Sequence, residues 1–159
     1  MAVSAELRAL FSNVIFLSIA TSWLLAQVIK TTIYVFSQKT IKFRDIFEIA
    51  VWRTGGMPSS HSAVVSALTI SVGFLEGISS NLFIFCIAFA LVVLRDALGV
   101  RRAAGLQAKA LNNLGRILAE KTGVEYQAVK EIQGHTPLEV AAGAVLGAFI
   151  AIGFALLWA

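Results

Sequence analysis

Four long stretches without Asp, Glu, Lys or Arg constrain the fold of this chain more than any other feature. They cover residues 9–29, 54–75, 77–94 and 140–159, with lengths of 21, 22, 18 and 20 residues. A helix needs roughly 17–25 predominantly apolar residues to cross a membrane. The chain is 58% hydrophobic and 14% charged, whereas a soluble domain is about 45–50% apolar and about 25% charged. The sequence therefore predicts an all-α integral membrane protein.

The predicted fold is one membrane-embedded domain over residues 1–159, a bundle of about four transmembrane helices. The N-terminus is not expected to be a cleaved signal peptide, because the apolar stretch after Glu6 and Arg8 is long for one. Between the first two helices we expect a partly helical segment at the membrane interface. Residues 103–121 predict another non-spanning helix, amphipathic and packed on the bundle or on the membrane, with Gly123 after its end. The predicted transmembrane helices lie at about 9–33, 59–76, 79–97 and 137–158.

The basic residues of the chain predict its orientation. The net charge is +4, and Lys and Arg concentrate in residues 30–53 and 95–136, whereas the short loop near Glu76 has none. The positive-inside rule places both basic loops on the cytoplasmic side of a bacterial inner membrane or on the equivalent side of an organellar membrane. The sequence contains no basic tract with interleaved aromatic residues, so we do not expect it to bind nucleic acid. The lone Cys86 cannot form a disulfide within the chain.

Both histidines of the chain lie in its two proline-containing segments, TGGMPSSHSA (54–63) and GHTPLEV (134–140). In the second segment, Thr136, Pro137 and Glu139 fit a helix start with a capping box. Glu139 also follows His135 by four residues, so its carboxylate can accept an imidazole N–H and raise the basicity of the other ring nitrogen. Both roles are open to Glu139.

The first segment has two interpretations. Gly55 and Gly56 permit a tight backbone, Pro58 is expected to begin a helix, and Ser59 and Ser60 are expected to cap it. The free N–H groups and hydroxyls of such a helix start form an anion site, beside which His61 could donate a proton. For the segment in isolation, an ordinary capped helix that contains a histidine is the simpler explanation.

The two segments together predict phosphoryl transfer. Two histidines, two serines and several Lys and Arg are expected at one membrane face. Phosphate needs several donors for its oxygens, and hydrolysis through a covalent intermediate needs a nucleophile and an acid. The sequence has no Cys/His cluster typical of zinc, no acidic cluster typical of Mg²⁺ and no P-loop. We therefore expect a metal-independent enzyme without a cofactor.

The sequence resembles the type 2 phosphatidic acid phosphatase (PAP2) superfamily, which includes the vanadium haloperoxidases. It is most similar to the small divergent PAP2 membrane family. PSSH at 58–61 resembles the Pro-Ser-Gly-His motif of the superfamily, and HTPLEVAAGAVLG at 135–147 resembles its His-x-x-x-Asp motif and the following helix. RDALGVRRAAGLQA at 95–108 resembles a signature of the divergent family itself.

The resemblance implies a role for each residue at a matching position. His135 would be the nucleophile that forms a phosphohistidine, Glu139 would orient it, and His61 would protonate the leaving oxygen and then activate water. Ser59 and the backbone around Ser60 would hold phosphate oxygens. The superfamily's cations match less well. Thr54 follows Arg53, where the superfamily has Pro, and Val occupies position 129, where the superfamily has an Arg six residues before the nucleophile. The predicted phosphate-binding residues are therefore Ser59, Ser60, Lys30, Arg53, Arg101, Arg102 and Lys130, with Asp96 orienting an arginine.

These observations predict a membrane lipid-phosphate phosphatase. Its substrate would be a phosphate or diphosphate monoester of a membrane lipid, such as phosphatidate or an isoprenyl diphosphate. The alternative is a non-catalytic binder or transporter of anionic lipids that uses the same pocket, and a purely structural bundle is a third possibility.

Gly143 and Gly147 are spaced for close helix contact, either within the bundle or in a homo-oligomer.

Overall fold

The computed structural model describes residues 2–37, 56–131 and 134–158, and these residues form helices without any β-strand. The predicted all-α architecture is confirmed. The helices are α1 (Ala2–Phe11), α2 (Val14–Ser37), α3 (Ser60–Glu76), α4 (Asn81–Leu98), α5 (Val100–Thr122) and α6 (Pro137–Trp158).

Three helical stretches within the described residues are long and apolar enough to cross a membrane: α2, α4 with its continuation into α5, and α6. The remaining predicted span, α3, has 17 residues, which is near the lower limit for a crossing helix. It is nevertheless the central element, because it packs against α2, α4 and α6. The bundle agrees with the prediction of about four membrane helices.

Small side chains allow the helices to approach closely around α3. Ala63 and Ala67 of α3 and Ala26 of α2 are completely buried. A methyl group at Gly143 would collide with the carbonyl oxygen of Ser59, and one at Gly147 would collide with that of Ala63. This face of α6 is therefore covered by α3, as the internal-packing alternative predicts, and a homo-oligomer stays a prediction without an assigned face.

The predicted first helix, 9–33, differs from the structure at both ends. Helix α1 ends at Phe11, and α2 begins after Asn13, whose Oδ1 accepts a hydrogen bond of 3.1 Å from the N–H of Phe16. Lys30, which the charge pattern predicts at the start of a loop, lies inside α2 and is buried, and the helix continues to Ser37. The predicted helix includes Lys30 but ends four residues early, and the loop assignment that starts at Lys30 is wrong, because this side chain packs inside the protein.

The predicted amphipathic helix is confirmed as α5, and it ends at Gly123 in the left-handed conformation with φ of 71°. Its apolar residues Leu111, Leu114, Ile117 and Leu118 are exposed, so this face does not pack on the described part of the bundle. The predicted interfacial segment falls largely on residues 38–55, which lie outside the described residues, as does Arg53.

Candidate functional site

His135 is positioned by Glu139 at the start of α6. The Thr136 hydroxyl accepts a hydrogen bond of 3.3 Å from the N–H of Glu139, and Oε2 of Glu139 accepts one of 3.1 Å from the N–H of Thr136. This is the predicted capping box. The same Oε2 lies 3.0 Å from Nδ1 of His135. One oxygen atom of Glu139 therefore performs both roles that the sequence left open.

The geometry indicates which ring nitrogen of His135 is free of a partner on Glu139. The side chain is buried, with an exposed fraction of only 6%. Since Nδ1 faces the carboxylate of Glu139, the neutral imidazole carries its proton there and leaves the lone pair of Nε2 free.

The start of α3 is bonded to the start of α6. The Ser59 hydroxyl caps α3 by accepting hydrogen bonds from the N–H and the hydroxyl of Ser62, at 3.4 and 2.9 Å. The N–H of Ser59 donates to the carbonyl oxygen of Glu139 at 3.0 Å. Pro58 precedes the helix, which begins at Ser60; the prediction that Pro58 begins the helix is wrong, because Ser59 occupies the capping position. These bonds fix His61, in the first turn of α3, relative to His135.

His61 and His135 line the same cavity, which has a volume of about 260 Å³. His61 is exposed to solvent, whereas His135 is buried in the wall. Asp96 and Arg101 also line the cavity, and Nε of Arg101 donates to Oδ2 of Asp96 at 2.6 Å. Two imidazoles and a tethered guanidinium group therefore line one space. The other lining residues are Val92, Val93 and Ala97.

Lys30 is buried and does not line this cavity. Its side chain is 5% exposed and passes Gly56, where an added Cβ atom would lie 3.6 Å from Cγ of Lys30. Lys30 is therefore a buried basic residue inside the bundle and is not part of the cavity wall.

The other predicted phosphate-binding residues are not brought into the histidine cavity. Arg102 lines a second cavity of about 340 Å³ together with Lys109, Glu131 and Glu139. Lys130 is exposed, and Ser59 and Ser60 are buried at the start of α3 without lining either cavity. No group of three or more His, Cys, Asp or Glu residues in the described ranges could hold a metal ion.

Gly134 allows the chain before His135 to approach the start of α5. A methyl group at Gly134 would collide with the backbone of Arg102. The contact brings the first turn of α5, and with it Arg101, to the site. The sequence analysis assigns no role to Gly134. Its position directly before His135 is a signal from which a close backbone contact at the site could have been predicted.

Asn112, a second residue without a predicted role, holds the segment that leads to the site. Its amide group donates to the carbonyl oxygen of Val129 and to Oε1 of Glu131, both at 2.9 Å. Its Oδ1 accepts from the N–H of Val129 and the hydroxyl of Tyr126, at 2.9 and 2.8 Å. Gly115 accommodates the Tyr126 ring, which a side chain there would displace. Asn112 therefore attaches the chain between α5 and Glu131 to the helix.

Replacing Asn112 with alanine is expected to destabilise this segment by roughly 2–3 kcal/mol, because two backbone groups and two side chains lose their partner. Asn113→Ala is the matched control. Asn113 is exposed and accepts one hydrogen bond from Arg116, so we expect a change within about 0.5 kcal/mol. Amide hydrogen exchange of residues 123–131 measures the difference, and equal exchange in the two variants would contradict the role of Asn112.

Comparison with known proteins adds two matches. The model of the divergent PAP2 family matches residues 11–150, which include both histidine segments. The uncharacterized membrane protein YuiD of Bacillus subtilis (strain 168) is 37% identical over 154 residues, covering 90% of this chain and 94% of YuiD. No solved structure matches significantly. The three apolar helices and the membrane-protein relative together identify an integral membrane protein.

Proposed function

Because the chain belongs to the divergent PAP2 family, we propose that it is a phosphatase for phosphate or diphosphate monoesters of membrane lipids. The observation that carries the proposal is the single cavity lined by His61 and His135. Oε2 of Glu139, which does not line this cavity, lies 3.0 Å from Nδ1 of His135. A nucleophile oriented by a carboxylate, with a second imidazole facing it, is the arrangement that covalent phosphoryl transfer requires.

In the first step, Nε2 of His135 attacks the phosphorus atom. An N–P bond forms, and the bond between phosphorus and the lipid oxygen breaks. Protonated His61 gives its proton to the leaving oxygen, so the lipid departs as an alcohol from a monoester or as a monophosphate from a diphosphate. The carboxylate of Glu139 stabilises the positive charge that develops on His135.

In the second step, neutral His61 takes a proton from a water molecule. The water oxygen attacks phosphorus, the N–P bond breaks, and its electron pair returns to Nε2 of His135. Inorganic phosphate leaves, and His61 is again protonated for the next cycle. The two imidazoles supply the nucleophile, acid and base.

We assign Arg101 to the phosphate oxygens, because it lines the cavity and Asp96 fixes one side of its guanidinium group. The remaining donors can bond phosphate while Nε stays on Asp96. Lys30 is buried and does not line the cavity, so no contact with phosphate is assigned to it. The basic loops of the sequence favour a site on the cytoplasmic side.

The proposal is tested by giving the purified protein phosphatidate and, separately, an isoprenyl diphosphate, and by measuring inorganic phosphate. We expect release from at least one of them. Complete absence of release from both, with a protein that binds them, would contradict a phosphatase and favour a binding protein.

Glu139→Gln separates the structural role of Glu139 from its role in the reaction. Glutamine also completes a capping box, so the melting temperature is expected to stay nearly unchanged. The loss of the carboxylate charge is expected to lower kcat by roughly 10²–10⁴-fold, since the positive charge that develops on the nucleophile His135 is no longer stabilised. A fall in melting temperature, with the kcat of the remaining folded protein unchanged, would instead show that Glu139 serves only the helix start.

A non-catalytic binder or transporter of anionic lipids is the second candidate. Among the residues that the structure describes, Arg101 is the one Lys or Arg in the wall of the histidine cavity, and Asp96 already binds it. This modest positive charge suits holding a phosphate group without stabilising a transition state. Tight binding of a lipid phosphate without phosphate release, unchanged in His135→Ala, would favour this function.

A further inference from the structure

Helix α5 has one side that faces the rest of the protein. Arg102, Gly105 and Lys109 line the second cavity, and Asn112 and Gly115 contact the segment that follows the helix. These five residues follow one another at spacings of three or four, which places them on the same side of the helix. The inward side of α5 is therefore assigned by its contacts along most of its length.

The outward side of α5 carries an apolar arc, which consists of Leu111, Leu114, Ile117 and Leu118. Each of these residues is 50–54% exposed. At 100° per residue they cover an arc of about 120°, which is wider than the seam of a two-helix coiled coil and typical of a helix that lies on a surface. Among the described helices, α5 packs only against α4. No described helix therefore covers the apolar arc.

Helix α5 begins where α4, a helix long and apolar enough to cross the membrane, ends. The first charged residues of α4, Arg95 and Asp96, lie in its last turn, and Gly99 alone separates the two helices. The backbone of Gly99, with φ of −104° and ψ of −81°, departs from helical values, so α5 continues in a new direction. With five Lys or Arg and one Glu, α5 is too charged to cross the bilayer itself. It therefore starts at the membrane surface and stays outside the hydrocarbon core.

We propose that α5 lies along the surface of the bilayer that α4 crosses, with the apolar arc among the acyl chains next to the lipid head groups. Continuity with α4 holds the start of α5 at this surface, and the apolar arc points away from the protein. A polar side with several Lys and Arg opposite a broad apolar side is typical of helices that bind in the plane of the interface. In this position α5 separates the bilayer from the second cavity, which Arg102 and Lys109 line.

The test compares spin labels attached to Leu118→Cys and to Glu120→Cys in lipid nanodiscs, with Cys86→Ala in both proteins so that each carries one label. Leu118 and Glu120 are both exposed, but they point about 160° apart around the helix. Relaxation of each label is measured with molecular oxygen, which concentrates in hydrocarbon, and with a water-soluble nickel chelate. We expect the ratio of the oxygen effect to the nickel effect to be about tenfold higher at position 118, because only this label lies among acyl chains.

Two results would overturn the proposal. Equal ratios at the two positions would show that the apolar arc faces water. Low accessibility of the label at position 118 to both reagents, with spin–spin broadening between labels, would show that a second copy of the chain covers the arc. Leu114→Cys, in the middle of the arc, takes the place of Leu118→Cys if that variant does not fold. The measurement needs no substrate, so its result is independent of whether the protein releases phosphate.

Discussion

Replacement of His135 with alanine is expected to lower phosphate release by at least about 10⁴-fold, because the proposed reaction has no covalent path without Nε2. Removal of a nucleophile has a larger effect than removal of one phosphate contact, since both half-reactions pass through it. The rate is measured as inorganic phosphate released from the lipid substrate by equal amounts of folded protein. Binding of the substrate is expected to remain.

The folding control for this variant is available in the same segment. The capping bonds between Thr136 and Glu139 do not involve the imidazole, so α6 should begin normally in His135→Ala.

His61→Ala is expected to lower the rate less, by roughly 10²–10⁴-fold, since water can replace an acid but not the nucleophile. A rate in His135→Ala above that of His61→Ala would contradict these assignments.

Gly147→Val is expected to prevent the bundle from forming, with a loss of at least roughly 3 kcal/mol, because its side chain would occupy the position of the Ala63 carbonyl group. A backbone atom of a central helix cannot move aside as a flexible side chain can. The effect should appear as a lower melting temperature in detergent and as a low yield of monodisperse protein.

Gly153→Ala is the matched control on the same helix. A methyl group there meets no atom within 4 Å, and alanine favours a helix over glycine by roughly 0.5–1 kcal/mol. We therefore expect unchanged or higher stability. Equal stability of Gly147→Val and Gly153→Ala would show that α3 and α6 are not packed as described.

The features that depend on neighbouring residues were predictable from the sequence. The capping box at Thr136 and Glu139 and the end of α5 at Gly123 involve residues within one helical turn. The break between α1 and α2 was missed because Ser12 and Asn13 interrupt an apolar stretch without adding charge. The buried position of Lys30 was missed because it depends on how α2 packs in the bundle, which the sequence does not reveal.

The candidate site was predictable in its histidines but not in its cations. The sequence placed Arg101 and Arg102 together, whereas the structure places them in different cavities. Consecutive residues of a helix point about 100° apart, so the two side chains diverge once α5 includes both. Asn112 and Asn113 differ for the same reason, and the single sequence does not reveal which of them faces the chain that leads to His135.

The most direct test of the phosphohistidine is to identify the labelled residue. Protein is mixed with substrate that carries a labelled phosphoryl group, quenched rapidly in alkali, and digested, and the labelled peptide is located by mass spectrometry. The mechanism predicts label on His135 in the wild type and none in His135→Ala. Release of phosphate without label on His135, or label on another residue, would contradict it.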